Sequence, residues 1–329
     1  MMMNELIAQF PEQLKVALQI GKDAKLTVKG KKFDQVYVSG LGGSGIGASL
    51  VQDYVSDKLS IPFVVNKNYH IAKSVNKNTL FIACSYSGNT EETLEAVSMA
   101  RAAKATIVCI TSGGALDFFA RKHGIDLILI PSGMPPRACL GYSVTQILYT
   151  LQKAGLLKKQ FEAEYDEAIA GIEKLGNTIH KKATALATKL PGRELHLYST
   201  AGHEGLTVRF RQQLNENAKV VASHNIIPEM THNEIVGWRK DQKQRTVIFI
   251  SSPQDYAPNL KRMAFLKKVV RSYGAAVIEI SLHGKSYWYD ALLFIHLTDW
   301  ISAELAVLNQ QDAAEVKVID KLKAEMAKK

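Results

Sequence analysis

The stretch Thr79–Ala96, TLFIACSYSGNTEETLEA, combines a strand pattern, a hydroxyl-rich turn and the start of a helix pattern. Its apolar run Leu80–Ala83 is typical of a short strand that is buried on both faces. A turn with three hydroxyl side chains follows, at Ser85, Ser87 and Thr90. The next residues are acidic, which suits the positive N-terminal end of a helix. The stretch therefore predicts a strand, a loop and a helix N-terminus in direct succession.

This succession favours the binding of an anion in the loop. Unpaired backbone N–H groups and the helix dipole point at one place there, so a phosphate group would be well held. The three hydroxyls could bond to phosphate oxygens without adding charge. Thr90 also has a structural alternative as the N-cap of the helix. One cap uses one hydroxyl, however, and leaves Ser85 and Ser87 without a role.

The composition is that of a soluble globular protein. The chain has 329 residues, which is room for two domains, with 47% hydrophobic and 22% charged residues. We find no apolar run of membrane-spanning length and no signal-peptide pattern at the start. The three cysteines are odd in number and lack metal-ligand spacing. These features predict a reduced, cytoplasmic protein.

The net charge of +10 raises the question of a nucleic-acid partner. The lysines are scattered along the chain, and no helix-turn-helix, zinc-finger or RNP motif is present. We therefore predict neither a nucleic-acid nor a membrane partner. A basic surface of this kind would attract a small anionic substrate.

Short apolar strand patterns alternate with helix patterns and then start again. The first series comprises Val36–Ser39, Ile61–Val65, Leu80–Cys84, Thr106–Ile110 and Leu127–Ile130. After a long helix over 160–189, the second series comprises Leu195–Tyr198, Val220–Ser223, Thr246–Ile250 and Ala276–Ile280. This alternation predicts an α/β fold with two tandem, doubly wound parallel sheets.

We place the two domains at 1–156 and 157–329, with the connection in Lys158–Glu167. The apolar stretch Tyr287–Leu308 is predicted to be a buried helix, and Glu315–Ala327 to be an amphipathic C-terminal helix. Ligands of such sheets lie beyond the carboxyl ends of the strands, where the strand order reverses. Loops that follow the first and third strands are therefore expected to converge.

The loop after the first strand, GLGGSGIG at 40–47, matches the dinucleotide-binding pattern G-x-G-x-x-G. A nucleotide-binding lobe of this type requires an acid at the end of its second strand. That strand ends at Asn66, which disfavours a dinucleotide-dependent oxidoreductase. The P-loop pattern also fails, because Ala48 stands where lysine is required. Two interpretations stay open: a purely structural turn, or a turn that lets backbone N–H groups and Ser44 approach an anion.

The two loops, GLGGSG and SYSGNTEE, together resemble those of the sugar isomerase (SIS) superfamily. Three later segments narrow the resemblance: PRA at 136–138, LNENAK at 214–219 and PEMTHNEIVGW at 228–238. With them, nearly the whole chain resembles the bifunctional phosphoglucose/phosphomannose isomerases. The resemblance implies flavodoxin-like SIS domains and an aldose–ketose isomerase of hexose 6-phosphates, acting in glycolysis and gluconeogenesis. It also implies a homodimer with a shared active site, and no cofactor or metal.

Within this resemblance, the phosphate of the substrate is held by the two loops. The implied substrate-binding residues are Gly43, Ser44, Ser85, Ser87 and Thr90. Holding the phosphate fixes C1 and C2 of the sugar beside the reacting groups. Glucose and mannose 6-phosphate differ only at C2 and give the same planar enediol, so a site that tolerates both configurations could serve both sugars.

Glu216 ends a predicted helix just before a strand. A carboxylate there meets the negative end of the helix dipole, at a cost of about 0.3–1 kcal/mol. Such a setting suits a group that takes up a proton near neutral pH. The alternative is a solvated surface glutamate between two asparagines, and the residues alone do not decide. The resemblance implies that Glu216 is the base that moves the proton between C2 and C1.

His232 lies in the polar turn THNE, beyond Glu216 in the chain. The resemblance implies that it assists opening of the sugar ring. In this superfamily's isomerases such a histidine can come from the neighbouring subunit, which implies a dimer. His232 and Glu234 would suggest a metal site, but no third ligand stands at a recognisable spacing, so we predict none.

Arg137 and Lys323 complete the set of implied catalytic residues. Arg137 follows two prolines that stiffen its approach, and its role would be to stabilise the negative charge of the enediolate. Lys323 ends an Ile-x-x-Leu-Lys run that matches the family's functional lysine. The alternatives are a surface arginine and a structural lysine whose stem lies along an apolar helix face.

A non-catalytic sugar-phosphate sensor is the second function that we consider. It would keep the loops and would need no base. Glu216 and His232 argue against it, as does the lack of an appended DNA-binding domain.

Overall fold

The structure is a computed structural model that describes residues 2–326. The chain forms two compact units. We name them by their sheets: the first-sheet unit contains Gln9–Lys174 and Lys285–Leu292. The second-sheet unit contains the segment up to Ala8, Leu175–Gly284 and the segment from Leu293 onward. The domain limits 1–156 and 157–329 stay a prediction.

Nine strands are present in the described part of the chain: β1 Gln35–Ser39, β2 Phe63–Asn66, β3 Thr79–Cys84, β4 Thr106–Thr111, β5 Asp126–Leu129, β6 Glu194–Thr200, β7 Ala222–Ile227, β8 Arg245–Ser251 and β9 Ala276–Ser281. The α-helices of the same residues are α1 Met3–Ala8, α2 Phe10–Asp23, α3 Gly42–Val55, α4 Glu91–Ala102, α5 Gly114–Lys122, α6 Leu140–Lys153, α7 Gln160–Ala187, α8 Glu204–Glu216, α9 Ala257–Ser272, α10 Tyr287–Leu308 and α11 Lys317–Met326. The predicted α/β alternation is confirmed, and Ala327, the predicted end of the last helix, lies outside the described residues.

The first sheet has the strand order β2-β1-β3-β4-β5, and all its pairs are parallel. This order is the flavodoxin-like one, in which the direction of winding reverses between β1 and β3. Every residue of β1 and β3 is buried, which explains the apolar runs at 36–38 and 80–84 within them. Ser39 pairs with Ala83, so the loops that follow β1 and β3 leave the sheet side by side.

The second sheet has the order β7-β6-β8-β9, again with parallel pairs only. It repeats the first four positions of the first sheet, with the reversal between β6 and β8. Strand β7 begins at Ala222, two residues later than predicted. The chain is still turning before it, because Lys219 has a left-handed backbone (φ +57°) and Val220 N–H bonds back to Leu214 O at 3.1 Å.

Helix α10 corrects one expectation from the sequence. Its 22 residues are long and apolar enough to cross a membrane by length and composition, whereas the sequence was expected to hold no such run. The most apolar 18-residue window of α10 is 83% buried, however, which is the environment of a core helix. Its predicted limits and its burial are both confirmed.

Candidate active site

The glycine loop packs tightly at the carboxyl edge of the first sheet. A Cβ atom at Gly43 would lie 2.7 Å from Pro136 O, so no side chain fits there. This contact brings the Pro136–Ala138 turn to the start of α3. Arg137 of that turn is only 3% exposed, which excludes the alternative of a surface arginine.

The SYSGNT loop meets the glycine loop at the same edge. Ser85 Oγ and Thr90 Oγ1 lie 2.8 Å apart, and Ser44 Oγ accepts a hydrogen bond from Tyr86 N–H at 3.3 Å. Ser44 and Ser85 are buried. Ser87 is exposed, and its Oγ accepts a bond from Asn89 N–H at 3.2 Å. The structure therefore joins the hydroxyls of Ser85 and Thr90 directly, and it joins Ser44 to the same loop through the backbone of Tyr86.

Thr90 occupies the N-cap position of α4, but its side chain makes no capping hydrogen bond. The Thr90 hydroxyl contacts Ser85 instead. The hydroxyl of Thr90 therefore does not act as a helix cap, and the structural alternative for this residue does not hold.

Two further residues at this edge were missed by the sequence argument. Lys67 directly follows β2, and its Nζ donates to Ser49 Oγ on α3 at 3.0 Å. Ser112 follows β4 and bonds to Tyr86 O through both N–H (3.0 Å) and Oγ (2.7 Å). Their position after parallel strands is the signal that could have found them.

In the second-sheet unit, Glu216 is the last residue of α8 and is partly buried. Its backbone carbonyl accepts a hydrogen bond from Lys219 Nζ at 2.6 Å. The helix end therefore carries a cation as well as the carboxylate. Lys219 stands inside the LNENAK segment at 214–219 but was not predicted to have a role.

Helix α8 is anchored to α10 by a buried polar cluster. The Oδ1 atom of Asp299 accepts from Arg209 at 3.0 Å and from Gln213 at 2.8 Å. Burial raises the pKa of Asp299, although the positive charge of Arg209 opposes that shift. Asn217, beside Glu216, donates to Ser302 Oγ at 2.9 Å. These contacts fix the end of the helix from which Glu216 projects.

His232 is exposed and ends the 3-10 turn Glu229–His232 that follows β7. The same segment is held on the sheet by Glu234, which accepts from Tyr198 Oη and, at 2.6 Å, from Asn225 Nδ2. Burial and the neighbouring Glu234 carboxylate raise the pKa of Tyr198, so its phenol remains a donor. Glu234 is thus an anchor. Among residues 2–326 no cluster of three or more His, Cys, Asp or Glu side chains could hold a metal ion.

Glu216 and His232 lie at opposite ends of β7. Ala222 N–H bonds to Asn215 Oδ1 at 3.3 Å, which holds the end of α8 at the start of the strand. A strand of this length spans on the order of 20 Å. The structure therefore does not bring Glu216 and His232 of one chain together.

Lys323 lies on α11, a helix with no buried residue. Lys323 and its neighbour Lys321 are both exposed, and the apolar Leu322 is 61% exposed. Among the described residues, the stem of Lys323 therefore does not pack on a buried apolar face, which was the structural alternative for this lysine.

The family models match both halves of the chain. The SIS domain model matches residues 31–132, and the model described as bacterial phospho-glucose isomerase C-terminal SIS domain matches residues 179–326. Two solved structures share the fold: tagatose-6-phosphate ketose/aldose isomerase from Escherichia coli (TM-score 0.69, 15% identity, 95% of each chain covered) and the C-terminal domain of glucosamine-fructose-6-phosphate aminotransferase from Francisella tularensis (TM-score 0.73, 14% identity, 95% of this chain and 98% of that chain). The fold and the sites define a tandem SIS-domain protein.

Curated relatives narrow this class to one family. The chain is 37% identical to the bifunctional phosphoglucose/phosphomannose isomerase of Caldicellulosiruptor bescii, with 99% of both chains covered. It is 32% identical to the enzyme of the same name from Aquifex aeolicus, over 90% of this chain and 91% of that one. The chain therefore belongs to the family of bifunctional phosphoglucose/phosphomannose isomerases.

Proposed function

We propose that this protein is an aldose–ketose isomerase that converts glucose 6-phosphate and mannose 6-phosphate to fructose 6-phosphate, and back, through an enediol. The observation that carries the proposal is the cluster of Ser44, Ser85 and Thr90 at the winding reversal of the first sheet. Hydroxyls and backbone N–H groups at a helix N-terminus suit a phosphate monoester. Family membership supports the reaction type.

In this proposal the phosphate is held by Ser44, Ser85, Ser87 and Thr90, with Gly43 allowing close approach of the backbone. Lys67 adds a positive charge at the same edge. Fixing the phosphate restricts the motion of the open-chain sugar. Placing C1 and C2 beside the base then costs little further entropy.

The proton transfer is assigned to Glu216. Its carboxylate removes the C2 proton of the open aldose, and the electron pair forms the C1–C2 double bond of an enediolate with its charge on O1. The proton then returns to C1 while a proton moves from O2 to O1, so that O2 becomes the carbonyl oxygen of the ketose. Arg137 stabilises the oxyanion of that intermediate. His232 and Lys323 assist the earlier opening of the ring, by proton transfer at the ring oxygen and the anomeric hydroxyl.

A homodimer with a shared active site is part of the proposal. Ring opening and proton transfer take place on neighbouring atoms of one sugar, whereas Glu216 and His232 of one chain lie at opposite ends of β7. A His232 supplied by a second copy resolves this separation. A twofold axis would then create two equivalent sites per dimer.

The chemistry requires no redox cofactor or metal, because the hydrogen lost at C2 is regained at C1. We also propose a cytoplasmic location and a role in glycolysis and gluconeogenesis. The three cysteines, all free and buried, are compatible with a reducing compartment.

The test is a coupled assay of fructose 6-phosphate formation from each aldose phosphate, with EDTA present. Turnover of both sugars is expected. Binding without turnover would favour the sensor, whereas activity lost in EDTA and restored by Zn²⁺ or Mn²⁺ would contradict metal independence. In a thermal-shift assay, sugar phosphates should raise the Tm and NAD(P) should not.

Subunit mixing tests the shared site. Glu216→Gln and His232→Ala variants should each be inactive alone. Random exchange of their subunits should restore about a quarter of wild-type activity, because half of the dimers carry one intact site. No recovery after verified exchange would place both residues in the site of one chain.

A further inference from the structure

Lys219 makes an unusual set of contacts at the end of α8. Its ammonium donates to three backbone carbonyls: Glu216 O at 2.6 Å, Asp312 O at 2.8 Å and Glu315 O at 2.8 Å. An ammonium has three N–H donors, and these three bonds match them. The backbone of Lys219 is left-handed (φ +57°), a conformation that non-glycine residues seldom adopt. The residue is thus held in a specific place by both backbone and side chain.

The three carbonyls belong to two different elements. Glu216 O is one of the carbonyls that a helix leaves unpaired at its C-terminus, where a cation is favourable. Asp312 and Glu315 stand in the turn between α10 and α11. One ammonium therefore joins the end of the helix that carries Glu216 to the segment from which α11, with Lys323, begins.

The two joined elements differ in their other anchors. Helix α8 is held to α10 by the bonds of Arg209 and Gln213 to Asp299. Helix α11 has no buried residue, so apolar packing gives it little restraint. Removing the ammonium should therefore release the turn at 312–315 and α11 while leaving the helix end in place.

We propose that Lys219 is a positioning residue for the isomerisation. Its ammonium fixes the C-terminal segment against the end of α8, so that Lys323 and Glu216 keep one arrangement. This inference rests on the proposed function, in which both residues act on the sugar. Lys219 acts through the carbonyls that it binds and does not touch the substrate.

Lys219→Met removes the ammonium and keeps the length of the side chain. We expect kcat for both aldose phosphates to fall by at least tenfold, because small misplacements of reacting groups are costly. The KM should stay within about twofold, because the phosphate-holding groups are in the first-sheet unit. Lys219→Arg should recover part of kcat, since guanidinium keeps the charge and several donors.

Lys240→Met is the matched control. Lys240 has the same left-handed backbone (φ +61°) and is exposed, so this change removes the same charge from the same conformation. It should leave kcat, KM and Tm close to wild type. If Lys219→Met does not fold, Lys219→Gln, which keeps an amide donor, replaces it in the same measurements.

Amide hydrogen exchange of 312–326 separates the tether from the activity. Exchange should be faster in Lys219→Met than in wild type and in Lys240→Met. Faster exchange with unchanged kcat would show a structural role only, and unchanged exchange would show that the tether is absent; either result overturns the proposal. A rise in KM at constant kcat would overturn it as well. If wild type isomerises neither sugar, the proposed function fails, and exchange still decides whether the tether exists.

Discussion

The two sheets have the same strand order over four strands, but the edges at their winding reversals are chemically different. At the first edge, beyond β1 and β3, hydroxyl groups face one another: Ser85 and Thr90 lie 2.8 Å apart. At the second edge, beyond β6 and β8, a carboxylate occupies the centre. Asp255 accepts from Thr200 Oγ1 and from His203 Nε2, each at 2.9 Å.

Asp255 shows what an anion does at such an edge. Its second carboxylate oxygen accepts from Ser252 N–H at 2.9 Å, so a backbone donor and two side chains surround it. Burial by itself raises the pKa of Asp255. The hydrogen bonds from His203, Ser252 and Thr200 lower it by more, so the net shift of the pKa is downward. The second edge thus carries its own anion, whereas the first edge offers hydroxyls to an external one. The difference supports the proposal that the phosphate binds at the first edge.

The largest expected effect tests the chemistry assigned to the second-sheet unit. Glu216→Gln keeps the shape of the side chain and removes its basicity, so isomerisation of both sugars should fall by about 10²–10⁴. Sugar phosphate should still bind, because the first edge is unchanged. NMR should also show that exchange of the C2 hydrogen with deuterated solvent stops.

Glu204→Gln, at the exposed start of the same helix, is the control and should be fully active. If Glu216→Gln turns over either sugar at near the wild-type rate, the base is a residue other than Glu216. Thermal denaturation of each variant must accompany the assay, so that a loss of fold is not mistaken for a loss of chemistry.

A smaller effect is expected at the first edge. Thr90→Val removes one hydroxyl at nearly constant volume, and the orphaned phosphate oxygen should cost about 1–3 kcal/mol of substrate affinity. The KM should rise for both sugars while kcat changes less. Thr93→Val on the same helix is the matched control, because Thr93 Oγ1 is buried without a hydrogen-bond partner in the described structure.

Thr93→Val should leave substrate affinity unchanged. If Thr90→Val lowers stability and leaves affinity intact, the Thr90 hydroxyl has only a structural role, through its contact with Ser85. The proposed phosphate site at the first edge would then contain the hydroxyls of Ser44 and Ser85 but not that of Thr90.

The smallest effect on activity is expected from Asp255→Asn, which removes the internal anion of the second edge. The KM should change by less than about twofold, because the proposed phosphate site lies at the other edge. Stability at pH 7 should fall by about 1–3 kcal/mol, since charged hydrogen bonds are lost.

The pH dependence of stability gives the sign of this contribution. The pKa of Asp255 is lower in the folded protein than its ordinary value of 3.8. The stabilisation is therefore fully present above that ordinary value and is lost as the pH falls through the folded pKa. The Tm difference between wild type and Asp255→Asn should therefore be constant above about pH 5 and narrow as the pH is lowered below 3.8. If Asp255→Asn raises the KM as much as Thr90→Val does, the two edges do not differ in their effect on substrate binding, and the proposal of phosphate binding at the first edge is contradicted.

The sequence by itself determined the sheets and the first edge. Strands β1 and β3 were found because a strand covered on both faces is mainly apolar, a pattern visible in a few consecutive residues. The glycine loop was visible because its glycines stand close together in the sequence, but the contact with Pro136 O that leaves no room for a side chain at Gly43 is a tertiary one. The proposed roles of Glu216, His232, Arg137 and Lys323 came from the family resemblance and stay predictions.

Only the tertiary structure decided which groups meet. It paired Glu234 with Tyr198 and Asn225, and it placed Glu216 and His232 at opposite ends of β7. It joined Lys219 to carbonyls more than 90 residues further along the chain. A hydrogen bond depends on distances of about 3 Å between atoms. Strand order and helix packing fix those distances, and one residue's type and its neighbours in the sequence do not.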